Sequence, residues 1–319
     1  MPRIAIVQQP PAFLDRTKSL EQATRQLADA AAQGAGLVVF TEVYVPGYPA
    51  WIWRIRPGTD MALAEQLHGR LVQQAVCLDT DDLAPLERAC REHGVSAVCG
   101  VTERDGSGSR GTLYNTVVVI GPDGRMLNRH RKLMPTNPER MVWGFGDGQG
   151  LRVVDTPCGR VGTLICWESY MPLARAALYA QGVEIYVAPT YDCGDRWVAS
   201  TQHIAREGGC WVLGSGHALR AADLPDSMPG KAQLYPDAAE WINQGDSVIV
   251  APGVKIVAGP MRNELGLLLA DIDLERVTAA RRVLDVAGHY ARPDVLRLEV
   301  NRSPQRSVRF SDDLSEPSP

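Results

Sequence analysis

Three residues of this chain share a position that could do chemistry. Glu42 follows the apolar run Leu37-Val38-Val39-Phe40. Lys132 follows a run that ends at Arg131, and Cys166 follows Val161-Gly162-Thr163-Leu164-Ile165. Each run reads as a strand, so each reactive side chain sits where a strand ends. In α/β sheets that carboxyl edge is where ligands bind. Singly, each has an ordinary reading: a glutamate there caps a turn, a lysine is solvated, a cysteine is core. Together they are a base, a cation and a nucleophile, the set that covalent thiol catalysis needs. The thiolate is the attacking form, so a neighbouring group must take the thiol proton. Histidine does this most often, but no histidine is convincingly placed. His130 is read as a structural hydrogen-bonding residue and His203 as a packing residue. A dry carboxylate close to sulfur can serve as the base. The lysine can stabilise negative charge that builds on the attacked group.

The elements that must hold these residues alternate along the chain. Strands are expected at 3–8, 37–41, 96–102, 113–120, 126–131, 151–155, 161–165, 185–188 and 211–215, with later ones near 247–250, 255–257 and 266–273. Helices are expected at 19–33, 62–74, 83–93, 173–180, 196–207 and 274–283. The turn Gly121-Pro122-Asp123-Gly124 joins two strands as a hairpin. The alternation predicts a mixed α/β fold with layered sheets and helices outside, and the hairpin argues against a purely parallel sheet. Residues 219–243 are long and weakly patterned, as functional or interfacial loops are. No Pro/Gly/Ser-rich linker interrupts the first 300 residues, so residues 1–301 read as one domain. Residues 302–319 read as a flexible polar tail.

Composition removes several classes of function. With 33 basic and 37 acidic residues the net charge is −4, and the basic residues are scattered. Neither nucleic acid nor an anionic membrane is expected as a partner. Gly106, Gly108 and Gly111 match a dinucleotide spacing, but a strand follows them rather than a helix, so they read as a loop. No P-loop pattern occurs, and no cofactor is expected. Cys90 and His93 are an isolated C-x-x-H inside a helix, whereas structural zinc usually shows two close pairs, so no metal is expected. No apolar run approaches the ~20 residues needed to span a bilayer. The start reads as a strand rather than a signal peptide, and seven dispersed cysteines fit reduced thiols in a cytoplasmic protein.

The motifs resemble the nitrilase superfamily, and within it the nitrilase branch. The resemblance rests on Phe40-Thr41-Glu42, Gly47-Tyr48-Pro49 and His130-Arg131-Lys132-Leu133-Met134-Pro135-Thr136. It continues through Glu139-Arg140, Trp143-Gly144, Gly146-Asp147-Gly148, Cys166-Trp167-Glu168-Ser169-Tyr170-Met171-Pro172-Leu173, residues 203–208 and Gly288-His289-Tyr290. It spans roughly residues 3 to 300 and implies a four-layer αββα sandwich. Carried over, it makes Glu42 the general base, Lys132 the stabilising cation, Cys166 the nucleophile and Glu139 a second, positioning glutamate. The backbone N–H of Trp167 would join Lys132 in holding developing charge. Tyr48, Trp167, Thr190 and Tyr191 are the expected substrate pocket, and Trp51 and Trp53 would suit either pocket, core or interface. Cys193 is read as lining or core. Cys-Trp-Glu before a Met-Pro-Leu helix looks like nitrile hydrolysis to acid and ammonia through a thioimidate and thioester. An amidase, a cyanide-degrading enzyme and a silent scaffold homologue are the rivals. The resemblance also implies a homo-oligomer, a dimer or a spiral. Its surfaces would include the Tyr179 and Trp197 region and the segments 51–74 and 219–243. Phe145 departs from the pattern where a polar residue is expected, and bears on pocket polarity.

Overall fold

The computed structural model describes residues 1–106, 109–305 and 308. Residues 306, 307 and 309–319 of the polar C-terminal segment lie outside the described residues, as does Gly108 of the glycine-spaced loop. In chain order the elements are β1 (Arg3–Gln8), α1 (Arg16–Ala32), β2 (Ala35–Val39), α2 (Met61–Gln74), α3 (Ala84–His93), β3 (Ser96–Arg104), β4 (Leu113–Ile120) and β5 (Met126–Arg131). Next come β6 (Val153–Thr156), β7 (Gly159–Thr163), α4 (Pro172–Tyr179), β8 (Ile185–Thr190), α5 (Asp195–Gly208), β9 (Trp211–Gly216) and β10 (Ala218–Arg220). Last are α6 (Lys231–Leu234), β11 (Trp241–Val250), β12 (Ile256–Arg262), β13 (Gly266–Asp271) and α7 (Glu275–Val283).

Two mixed sheets form. One has the order β13-β1-β2-β3-β4-β5, and the other β10-β11-β9-β8-β7-β6 with β12 paired to β11. Period-two alternation decides which core each strand residue enters. Ile4 and Ile6 of β1 join Leu37, Val39 and Val98 against Val161, Ile185, Val187 and Leu213 of the second sheet. Ala5 and Val7 point the other way, onto Leu20, Ala23 and Leu27 of α1 and Leu86 of α3. On the far side, Leu178 of α4 and Trp197, Ile204 and Ala205 of α5 cover Tyr186, Ala188 and Val212. The layers are therefore α, β, β, α.

Several expected boundaries move. Strand 37–41 ends at Val39 and strand 161–165 ends at Thr163. Single bonds continue past both ends, from the Phe40 N–H to Val98 and from the Leu164 N–H to Val187, and the chain turns through positive φ only at Val43 (+48°) and Cys166 (+52°). Strand 151–155 starts late because Gly148–Gly150 forms a 3-10 turn. Residues 219–243 are not a structureless loop. They hold most of β10, a 3-10 turn at Ala221–Asp223, α6 and the first residues of β11. Their apolar residues Leu219, Leu224, Met228, Leu234 and Tyr235 form a further core with Trp51, Ile52, Leu67 and Leu71. The two expected oligomer segments thus pack on each other within the chain. Tyr179 and Trp197 are likewise core residues, 6% and 0% exposed, not surface ones. His203 is corrected the other way. It is an exposed residue 3.8 Å from Glu207, not a packing residue.

Candidate active site

The first sheet brings a carboxylate and an ammonium to one edge. β1, β2 and β3 are parallel, and two antiparallel steps return β5 to the same direction. Residues after β2 and β5 therefore emerge at the same edge. The loop bearing Glu42 lies directly on Gly100 of β3. A Cβ there would stand 2.4 Å from the Thr41 carbonyl oxygen and 2.3 Å from the Val43 nitrogen. Only glycine permits that approach. The β5 ladder continues one residue past its end, because the Lys132 N–H donates to the Asn115 carbonyl at 2.8 Å. Alternation then puts His130 and Lys132 on one face and Arg129 and Arg131 on the other. The two arginines hold the buried Glu103.

Four buried groups converge. Lys132 Nζ donates to Glu42 Oε1 and to Glu139 Oε2, each at 2.8 Å. Glu42 also accepts from Asn115 Nδ2 at 2.7 Å and from the Tyr191 backbone N–H at 2.6 Å. Glu139 accepts from the Tyr48 hydroxyl and the Thr136 N–H, both at 2.7 Å. Cys166, 4% exposed, opens a 3-10 turn beyond β7, with the Thr190 hydroxyl beside its sulfur.

The electrostatics follow from dryness. Burial raises the pKa of Glu42; Lys132 opposes this and Glu139 adds to it. Burial alone would lower that of Lys132, but Glu42, Cys166 and Glu139 together raise it, so the amine stays charged. Burial pushes the Cys166 thiol up, Glu42 pushes it further, and Lys132 and Thr190 oppose. A raised carboxylate is the better base, and it faces a thiol that needs one.

The expected pocket residues separate. Trp167 lines an open cavity of about 560 Å³ together with Tyr170, Asp192, Cys193, Gly194, Asp195 and Arg196, and its indole N–H donates to Asp192 at 2.8 Å. Thr190 lies at the sulfur. Tyr48 and Tyr191 do not line the cavity. They stack at 3.8 Å, 7° from parallel, and form a wall behind the two carboxylates. Trp51 is core, whereas Trp53 donates to the Tyr48 hydroxyl at 3.1 Å. Cys193 is at the cavity, as expected. Phe145 is 60% exposed. His130 is a hydrogen-bonding residue, facing the Glu168 carboxylate at 3.0 Å. Among the described residues, no group of three or more His, Cys, Asp or Glu side chains could hold a metal ion. No helix among them is long and apolar enough to cross a membrane.

Asn115 and His217 were not anticipated. Asn115 carries no motif signal, being one polar residue inside a strand. His217 lies just past β9, wholly buried, with Nδ1 3.2 Å from the Thr41 hydroxyl. Burial lowers its pKa from 6.5 to about 4, so it stays neutral in the fold. Between those values the unfolded chain binds the extra proton, and stability falls as pH falls through that window. Between about pH 7 and pH 5, wild type should lose roughly 2 kcal/mol more stability than His217→Gln. Urea midpoints at the two pH values test this, and equal losses would reject it.

Residues 3–282 match the family model described as carbon-nitrogen hydrolase. The chain belongs to the carbon-nitrogen hydrolase family. Its curated relatives fall in the nitrilase branch. It is 40% identical over 307 residues to an aliphatic nitrilase of Sinorhizobium fredii (strain HH103), covering 96% of this chain and 97% of that one. It is 39% identical over 319 residues to nitrilase 1 of Arabidopsis thaliana, covering 97% and 89%. A solved carbon-nitrogen hydrolase from Helicobacter pylori G27 shares the fold, with a TM-score of 0.66 at 20% identity over 89% of this chain and 93% of that one. As a member of this family, the chain has the αββα sandwich that the layers above describe.

Proposed function

We propose that this carbon-nitrogen hydrolase converts an organic nitrile to a carboxylic acid and ammonia. The observation that carries the reading is the dry cluster of Cys166, Lys132, Glu42 and Glu139 at the strand ends. Glu42 takes the Cys166 proton as sulfur attacks the nitrile carbon. Glu42 passes that proton to the nitrogen, a thioimidate forms, and the carboxylate is free to act as base again. Lys132 and the Trp167 N–H hold the charge that develops on nitrogen. Glu42 then deprotonates a water that adds to the carbon. Loss of ammonia leaves a thioester, and a second water releases the acid and the thiol. Glu139 holds Lys132 in place and stays anchored by Tyr48 and Thr136. The names of the relatives, each a nitrilase, support nitriles as the substrate class.

A panel of butyronitrile, 3-phenylpropionitrile, benzonitrile, their amides and cyanide, scored by ammonia release, tests this. Turnover of at least one organic nitrile is expected, faster than its amide. Turnover of amides alone would replace the reading by an amidase, and of cyanide alone by a cyanide-degrading enzyme. No turnover and no covalent adduct would favour a silent scaffold. All seven cysteines are free, which supports a reducing, cytoplasmic setting. The exposed Tyr170, Met171 and Leu173 beside the site support a homo-oligomer built across that surface.

A further inference from the structure

One wholly buried carboxylate near the nucleophile takes no part in the proposed reaction. Glu168 lies two residues past Cys166. Its Oε1 accepts from the Leu133 backbone N–H at 2.7 Å, and its Oε2 from the Ile165 backbone N–H at 2.7 Å. His130 Nε2 lies 3.1 and 3.0 Å from the same two oxygens. Leu133 directly follows Lys132, and Ile165 directly precedes Cys166. One side chain therefore ties the end of β5 to the end of β7, across the two sheets, at the neighbours of the cation and the thiol. Burial would raise the pKa of Glu168, but His130 and the two amides hold it lowered, so the carboxylate stays charged. A charged acceptor with three donors is a strong, short-range anchor.

We propose that Glu168 is a positioning residue that sets the separation of the Lys132 ammonium and the Cys166 sulfur, and with it the choice between acid and amide as product. The inference rests on the nitrile reading. The tetrahedral carbon formed after the first water carries sulfur, nitrogen, a hydroxyl and the substrate carbon. If the C–N bond breaks, nitrogen leaves as ammonia with the added proton and a thioester remains. If the C–S bond breaks, sulfur leaves with the proton as the thiol and an amide is released, one water having been consumed. The exit depends on which atom the proton donor and the cation sit closer to. Displacements near 1 Å can change such steps by about 10²-fold. Cys166 has a left-handed backbone, φ +52°, directly after the anchored Ile165, so a shift of Ile165 is passed on to its sulfur.

Glu168→Gln keeps the shape but turns an NH2 group onto one of the backbone N–H donors. Glu168→Asp keeps the charge but spans only one of them. His130→Phe removes one donor and leaves both backbone contacts. The full-length variants are assayed on the panel nitrile that wild type turns over fastest, with acid and amide separated by chromatography and rates scaled to titratable Cys166. For Glu168→Gln and Glu168→Asp, kcat should fall by at least about 10-fold with KM within about 3-fold, and the amide fraction should rise several-fold. His130→Phe should move both in the same direction by less. A lowered Tm with unchanged kcat and unchanged amide fraction would make Glu168 a structural residue only and overturn the proposal. If the Glu168 variants do not fold, His130→Phe decides alone by the same criteria. If wild type turns over amides and no nitrile, the nitrile reading fails by itself. The kcat of the variants on amides then still accepts or rejects the positioning role.

Discussion

Replacing Cys166 by Ala should reduce ammonia release from every nitrile to the background rate while the fold persists. The substitution removes one sulfur atom and keeps the Cβ, so the backbone at φ +52° meets the same substituent as before. The sulfur meets the Thr190 hydroxyl and is part of the inter-sheet core with Ile165, Val187 and Leu213, so a modest drop in Tm is expected while the fold persists. Without a nucleophile, no thioimidate can form, and what remains is polar stabilisation of a direct attack by water. Circular dichroism and Tm check the fold, ammonia release checks the chemistry, and intact mass checks the adduct. The adduct seen with wild type must vanish in Cys166→Ala. Residual turnover well above background would move the nucleophile to another thiol. Cys193, half-buried at the cavity, would be the first suspect, because the other five are buried away from it.

Glu42→Gln should lower kcat by about 10²–10⁴-fold, the usual worth of a general base. Two effects act together. The amide cannot take the thiol proton, and it cannot accept from all its present donors. Lys132 and Asn115 both donate to Oε1 and the Tyr191 N–H to Oε2, so either orientation of the amide sets an NH2 against a donor. The pH profile of wild type carries the complementary signature. Since burial raises the pKa of Glu42, the acidic limb of kcat should lie above the ordinary carboxylate range, and activity should fall as pH drops through it. A rate for Glu42→Gln within a few-fold of wild type would assign the base elsewhere.

Much of this site was legible because strand ends announce themselves. Glu42 and Cys166 each close an apolar run, Lys132 closes the strand after a hairpin turn, and the family motifs then attach Glu139. The layered fold was legible for the same reason, since alternation assigns Ile4 and Ile6 to one core and Ala5 and Val7 to another. What was not legible depends on contacts between distant parts of the chain. Asn115 is an ordinary strand residue until β4 lies beside the loop of Glu42. His217 acquires its neutrality from burial, which its neighbours in sequence do not encode. Residues 219–243 have no periodicity because they pack on Trp51, Leu67 and Leu71 rather than on a sheet. The strand ends at 41 and 165 ran long because an apolar run does not reveal where continuous pairing with the neighbouring strand stops.

The open cavity has one further consequence. Five of its seven lining residues are consecutive, Asp192 to Arg196, running from the β8–α5 loop into the first residues of α5. Their polar anchors include the Thr190 hydroxyl, Asp246, Arg262 and the Trp167 indole N–H. Most of the cavity wall thus lies in a stretch of chain apart from Glu42, Lys132 and Glu139, and joins the nucleophile through Thr190 and Trp167. That separation makes the fold readily evolvable. A lineage could alter the exposed Asp195 and Arg196 and the half-buried Asp192 and Cys193 while Glu42, Lys132 and Glu139 stay unaltered.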